Sequence, residues 1–433
     1  METTLKFAGF RNNARKSEKD FTRERKVGFV PLVLLIFNMV RKSSQLEIDE
    51  FRERFMPESA LATSYTKQSF SKARQKIRPE AFVTLNDVYI RTFYADHDYK
   101  THKGFRMFAM DGCVLEVPNT AQTQRQYGYV TNKMKNFKLA RALSSHLYDV
   151  ENRLAVSTTI GRYDTNERVL AKANIEKMLT LIPETSPYET VVLFDRGYPS
   201  IEFIHYLMQR RVHFVMRVST WFCKEIMQTQ TMDEIAQLRI TKERAKELRK
   251  QRTPVPEGTV LPIRVVKLPL STGETELLIT DLREDKLSQA EMGDIYFKRW
   301  GIETHFKALK YQFEVENFSG ETPTAIEQDF HATTLLSNMA SVIEQDALEE
   351  VQAQNSGRKY EEYKINHNIL VGKLKNKLVE VILEDDDEKR SAIYRRLLHE
   401  LTRNIVPVIK GRTHPRKTRP GANKYAKNKR RPL

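Results

Sequence analysis

The sequence predicts a mixed α/β core, interrupted by a partly β insertion and flanked by helical regions. Three observations lead there. Short apolar runs alternate with helical segments between residues 105 and 218. That rhythm breaks from Ser219 to Asp281, where charge, proline and strand-like runs mix. The chain has 433 residues, and at roughly 150 per domain two or three domains are expected. Its composition, 40% hydrophobic and 9% aromatic, supports a sizeable core and excludes a wholly disordered chain. Lys and Arg number 72 against 56 Asp and Glu, a formal charge of +16. Such an excess points to a polyanion, either nucleic acid or an acidic membrane surface. Cys113 and Cys223 form no close pair, which argues against a disulfide scaffold or a Cys-based zinc site. The longest apolar run, Val30 to Val40, falls well short of the roughly 18–20 residues that span a bilayer. A soluble, basic protein of the cell interior is the expectation.

Taken in order, residues 1–94 read as a helical region. Leu32, Leu34, Leu35, Ile36 and Phe37 mark one helix over 29–41, and Leu46, Ile48, Phe51 and Phe55 recur at helical spacing in the next. Ser69 is expected to cap a short basic helix carrying Lys72, Arg74, Lys76 and Arg78. That helix suits a DNA-recognising module and an ordinary bundle equally well. From residue 95 to 218 the predicted order is β-β-β-α-β-α-β, with antiparallel strands first and crossover units afterwards. The tight turn falls at Glu151-Asn152. Residues 219–281 form the inserted subdomain. The core resumes over 282–345 with a single strong helix running through YFKRWGIETHFKALKYQF, and 346–409 are again largely helical. The last stretch, 410–433, holds ten Lys and Arg, among them Arg430 and Arg431, and no acid. It is expected to be disordered when free and to bind phosphates.

Two strands run straight into an acid. Met107, Phe108, Ala109 and Met110 precede Asp111; Val191, Val192, Leu193 and Phe194 precede Asp195. A carboxylate at the end of a buried apolar strand costs several kcal/mol unless neutralised, on the order of the penalty for any buried charge. A cap or turn role suits either one alone. Two in one sheet favour a divalent-metal site, since Mg²⁺ prefers a few carboxylates with water and phosphate oxygens. On the following helix Tyr296, Arg299, Glu303 and Lys310 fall within an arc of roughly 60°, where a core helix would place apolar groups. An Arg299–Glu303 pair alone would be a common solvated i,i+4 contact; the four-residue spacing is far more specific.

With these residues the chain resembles a DDE transposase of the insertion sequence four family, bacterial cut-and-paste enzymes with this tyrosine–arginine–glutamate–lysine signature. DGCVLEVP around Asp111, LFDRGYPS around Asp195, the Glu303 helix and ENFSG after it carry the likeness. The resemblance implies a ribonuclease-H-like catalytic core with an inserted β domain, and Asp111, Asp195 and Glu303 as the catalytic and metal-binding triad. It also implies Mg²⁺, with Mn²⁺ able to substitute, and excision through a hairpin at the transposon end. Paired divalent ions suit phosphodiester chemistry because they stabilise both the attacking and the leaving oxygen. Arg299 and Lys310 are then expected to hold phosphates, with Tyr296 packing on the same backbone. Trp221, at the start of the insertion, is a candidate to stack on a flipped base, although a packing role suits it better. Lys72, Arg74, Arg430 and Arg431 complete the expected DNA contacts.

Glu116, Asp149 and Asp164 are expected at turns or on the surface, and His146 and His305 in structural or DNA-facing places. No His-based ligand spacing suggests zinc. Expected partners are transposon terminal inverted repeats, target DNA and a second copy of the chain on paired ends, with no membrane. The expected setting is the bacterial cytoplasm, on the nucleoid when bound to DNA. The competing readings are a catalytically silent DNA-binding regulator derived from a transposase, and a nuclease of the same fold that cuts without joining.

Overall fold

The computed structural model describes residues 1–23, 26–38, 42–132, 137–183, 186–270, 273–353 and 360–409. The basic tail, with Arg430 and Arg431, lies outside them. The N-terminal region holds α1 (Glu2–Lys6), α2 (Ala8–Ala14), α3 (Phe29–Phe37), α4 (Ser44–Phe55), α5 (Pro57–Ala62), α6 (Lys67–Arg74) and α7 (Glu80–Tyr94). Leu32 to Phe37 are buried on every side of α3, as befits a helix inside a core. The cap of α6 is Thr66, whose side chain accepts the Ser69 backbone N–H. Ser69 therefore sits within the first turn and is not the cap, because the helix begins one turn earlier than its basic residues suggest.

The core follows as β1 (Phe105–Glu116), α8 (Ala121–Tyr127), β2 (Tyr129–Asn132), β3 (Phe137–Asp149), β4 (Leu154–Arg162), α9 (Glu167–Leu181), β5 (Glu189–Phe194), α10 (Ile201–Gln209) and β6 (His213–Val218). The predicted strand and helix order is present, with α8 and β2 added. The insertion contributes α11 (Lys224–Met227), β7 (Asp233–Arg239), α12 (Lys242–Lys250), β8 (Val260–Pro269) and β9 (Thr275–Thr280). All these strands share one sheet, ordered β2-β3-β1-β5-β6-β9-β8-β7 with β4 also on β3. β1 runs antiparallel to β3 and parallel to β5; β5 and β6 are parallel; β6 and β9 are antiparallel. The insertion thus extends the core sheet and does not build a separate one.

Next come α13 (Gln289–Phe297), α14 (Trp300–Tyr311), α15 (Pro323–Ala353), β10 (Tyr363–Ile365), α16 (His367–Leu383), α17 (Asp387–Thr402) and β11 (Ile405–Pro407). The single helix expected through Tyr296 and Glu303 is in fact two. Arg299, Gly301 and Ile302 donate to the carbonyls of Tyr296, Lys298 and Arg299 at 3.1, 2.9 and 3.1 Å. Three-residue closure replaces four-residue closure there, just ahead of Gly301, so that one helix ends and the next begins.

One face of the sheet, with Ala109, Ala142 and Tyr148, packs on α14, α15 and the N-terminal helices. The other, with Phe108, Met110, Leu147 and Phe194, packs on α9 and α10. Met107, Val191 and Leu193 meet α13 through Met292, Ile295 and Tyr296. Arg74 is only 1% exposed. It donates to Gln328 Oε1, the Ala325 carbonyl and Asp329 Oδ1 at 2.8, 3.1 and 2.8 Å. The expected DNA contact by Arg74 is therefore replaced by an internal tie to α15, and only Lys72 of that pair is exposed. Among the described residues no helix is long and apolar enough to cross a membrane.

Candidate active site

Side chains alternate along a strand. Met107 and Ala109 face the helices α13 to α15, and so does Asp111; Val191 and Leu193 set the same phase for Asp195. Asp111 lies inside β1, not at its end as its apolar run suggests. What ends there is the pairing with β5, whose last partners are Met110 and Phe194, while pairing with β3 continues to Glu116. The acids thus stand where two parallel strands part at their carboxyl ends, a place where open α/β sheets form a crevice. Asp195 follows β5 directly, in a turn closed by the Tyr198 N–H donating to its carbonyl at 3.1 Å.

Arg299 joins the acids. Its guanidinium lies 4.0 Å from Asp111 Oδ2 and 3.2 Å from Glu303 Oε1, and it attracts Asp195 as well. The residue is 5% exposed and stacks against Tyr296 and Trp300, 5.7 and 5.3 Å from their ring centres. A solvated i,i+4 pair is excluded by that burial. Tyr296 is equally buried, and its hydroxyl donates to the Phe194 carbonyl at 3.3 Å. Tyr296 therefore braces the end of β5. Lys310 Nζ donates to the Val114 carbonyl at 2.6 Å and pairs with Glu316 at 3.1 Å, which ties α14 to β1 beyond Asp111. Trp221 is 79% exposed at the start of the insertion.

The electrostatics are those of crowded acids. Burial pushes Asp111 up to about 6; the Gly112 N–H and Arg299 oppose this, while Glu167 and Asp195 add to it. Glu167 is raised too, by burial and then by Asp195. The Tyr198 phenol, buried among Glu167, Asp111 and Asp195, is held well above its ordinary value. Two buried polar atoms here have no hydrogen-bond partner, Arg299 Nε and Tyr198 Oη. Neither Glu167 nor Tyr198 stood out in the sequence: an acid at a helix start reads as a dipole complement, and a Tyr after Gly as a turn residue.

Around the site the remaining candidates are structural. His146 lies opposite Asp111 across the β1/β3 pairing, and its Nδ1 is 3.2 Å from His305 Nε2. Burial lowers His305 to about 3 and His146 well below its usual range, so both are neutral and one donates to the other. The pair links the strand of Asp111 to the helix of Glu303. Asp149 takes the N–H groups of Glu151 and Asn152 at 2.9 and 2.8 Å in the β3–β4 turn. Glu116 and Asp164 pair with Arg141 and Arg162.

Among the described residues, no three or more His, Cys, Asp or Glu are already gathered around a cation position; a guanidinium bridges the acids instead. The donor chemistry still suits a hard divalent ion, since carboxylate oxygens are its preferred ligands. Buried, mutually repelling carboxylates and orphaned polar atoms are what such an ion would relieve.

No curated protein matches the chain. Among solved structures, piggyBac transposase in a synaptic complex with hairpin DNA is similar at 13% identity and a TM-score of 0.41, over 94% of this chain and 82% of that one. Residues 102–339 match the transposase DDE domain, a span that contains Asp111, Asp195, Glu303 and the whole insertion. With more than half of its length matched, the chain belongs to the transposase DDE domain family.

Proposed function

We propose that this chain is a cut-and-paste DNA transposase of the insertion sequence four family, with Asp111, Asp195 and Glu303 as its catalytic and metal-holding residues. The observation that carries the reading is the Arg299 bridge between Asp111 and Glu303, at the parting of β1 and β5, inside the DDE match. The sheet order supports a ribonuclease-H-like core. β1 is flanked on one side by the antiparallel β3 and β4, and on the other by the parallel crossover strands β5 and β6.

Asp111, Asp195 and Glu303 would hold Mg²⁺, or Mn²⁺ in its place. That ion supplies charge stabilisation of the attacking and leaving oxygens of a phosphodiester. The protein's part is positioning. Tyr296 and the His146–His305 pair fix the strands and helix that carry the acids. Arg299, once a cation takes over the carboxylates, is free to turn its fork to a phosphate, the geometry guanidinium suits best. Lys310 fixes the register of α14 against β1. Lys72 and Trp221 are exposed and available to DNA, and the tail with Arg430 and Arg431 adds phosphate contacts. The substrates are the element's terminal inverted repeats and target DNA, handled by a homodimer on paired ends, with a hairpin intermediate. The setting is the bacterial cytoplasm, at the nucleoid.

The test is incubation of the purified chain with Mg²⁺ and DNA carrying the inverted repeats that flank its reading frame. Cutting with strand transfer is expected. Cutting without joining would make it a nuclease, and binding without cutting a silent regulator.

A further inference from the structure

Glu167 is the first residue of α9, after the cap Asn166, whose side chain accepts the Arg168 N–H. An acid at this position ordinarily faces solvent and complements the helix dipole. This one is turned inward. A side-chain carbon built on Gly112 would lie 2.8 Å from Glu167 Oε1, and one on Gly197 would lie 3.8 Å from Oε2. Its two oxygens thus rest against the backbone directly after Asp111 and two residues after Asp195. Alternation turns Gly112 toward the α9 side of the sheet. The missing side chain there is what lets Glu167 reach the crevice from the face opposite Glu303. Among the described residues, no Lys, Arg or His pairs with Glu167, and its neighbours in charge are Asp195 and Asp111. Beside it stands the Tyr198 hydroxyl, on a side chain 1% exposed and without a partner.

A half-buried acid turned toward two other acids, with no basic partner of its own and with a glycine making room, is unfavourable by itself. A divalent ion would turn that placement into a favourable one. We propose that Glu167 is a fourth carboxylate of the site, a ligand for the divalent cation from the α9 side. The proposal rests on the transposase reading, which supplies the cation. It also accounts for Gly112, because any side chain there would displace the Glu167 carboxylate. The unpartnered Tyr198 hydroxyl is then the buried polar group that faces the same crevice.

Mn²⁺ binding to the full chain, followed by electron paramagnetic resonance of the free ion, tests this without any DNA reaction. Glu167→Gln should weaken Mn²⁺ affinity at least about ten-fold, the low end of losses at metal-site partners. Gly112→Ala, with Glu167 intact, should do the same. Glu116→Gln, an exposed acid paired with Arg141, should leave affinity unchanged. Circular dichroism and binding to end DNA in EDTA should stay at wild-type level for all three. If Asp111→Asn abolishes binding while Glu167→Gln and Gly112→Ala leave it intact, Glu167 is no ligand and the transposase reading stands. If Asp111→Asn also leaves Mn²⁺ affinity untouched, the metal-site reading itself fails.

Discussion

Replacing Asp111 by Asn should abolish DNA cleavage and yet make the metal-free protein more stable. The carboxyl titrates near 3.8 when unfolded and is pushed up to about 6 in the fold. Below the lower value it is protonated in both states and costs nothing. Between the two values the unfolded chain ionises freely while the folded carboxyl, beside Glu167 and Asp195, still holds its proton, so stability falls as pH rises from about 3.8 to about 6 and is level above that. A shift of about two pH units corresponds to about 3 kcal/mol at pH 7.5. Asn keeps the Oδ1 acceptor that takes the Gly112 N–H at 2.8 Å but carries no charge. The pull of Arg299 is already contained in the net shift, and an amide replaces the neutral carboxyl imperfectly, so a gain of about 1–3 kcal/mol is expected. Urea unfolding in EDTA at pH 7.5 and at pH 4.5 reads this directly. The gain should be full at the higher pH and fall to about a third of it at the lower. Asp149, likewise raised to about 6, titrates in both proteins and cancels in the difference. A loss of stability at pH 7.5, or a gain equal at both pH values, would refute the account of crowded acids.

Arg74→Ala should cost about 3–5 kcal/mol in the same unfolding assay, because it strands Asp329 and Gln328 inside the protein. Its effect on the salt dependence of DNA binding should be nil, whereas Lys72→Ala should lower the log–log slope by about 0.9. Arg299→Ala should spare nicking more than hairpin formation or strand transfer, losing about 1.5–3 kcal/mol in the later steps that need a held end; gels resolving the three products decide it. Removing residues after Ile409 should weaken DNA affinity and flatten its salt slope by about 0.9 for each phosphate the tail had neutralised, and an unchanged slope would take the tail off the DNA.

Asp111 and Asp195 were legible because an apolar run broken by one acid is rare, and strand alternation then puts both on one face. The break between α13 and α14 was not, since Tyr296, Arg299 and Glu303 keep near-helical spacing across it. Nothing local distinguishes a helix that continues from one that tightens for a turn. Arg74 looked like its basic neighbours because its partners Gln328 and Asp329 lie some 250 residues away. The insertion's strands were found, but not the pairing of β9 with β6 that joins them to the core sheet, since such pairing is set by non-local neighbours. Glu167 needed both facts at once: a helix start in one place and a bare glycine in another.

The pairing of β6 with β9 has a further consequence during synthesis. β6 ends at Val218 and its partner begins at Thr275, so its outer edge waits for the ribosome to make the whole insertion. At about 5–20 residues per second that delay is about 3–11 s. Through this time Phe214, Val215 and Met216 offer an apolar, unpaired strand edge, the kind that recruits neighbouring chains. Once β9, β8 and β7 arrive, the vulnerable edge moves outward to β7, where Asp233, Glu234, Gln237 and Arg239 are charged or polar. The insertion thus acts as the sheet's built-in edge guard, and a shortened chain that ends the sheet at β6 would trade a compact catalytic core for a sticky one.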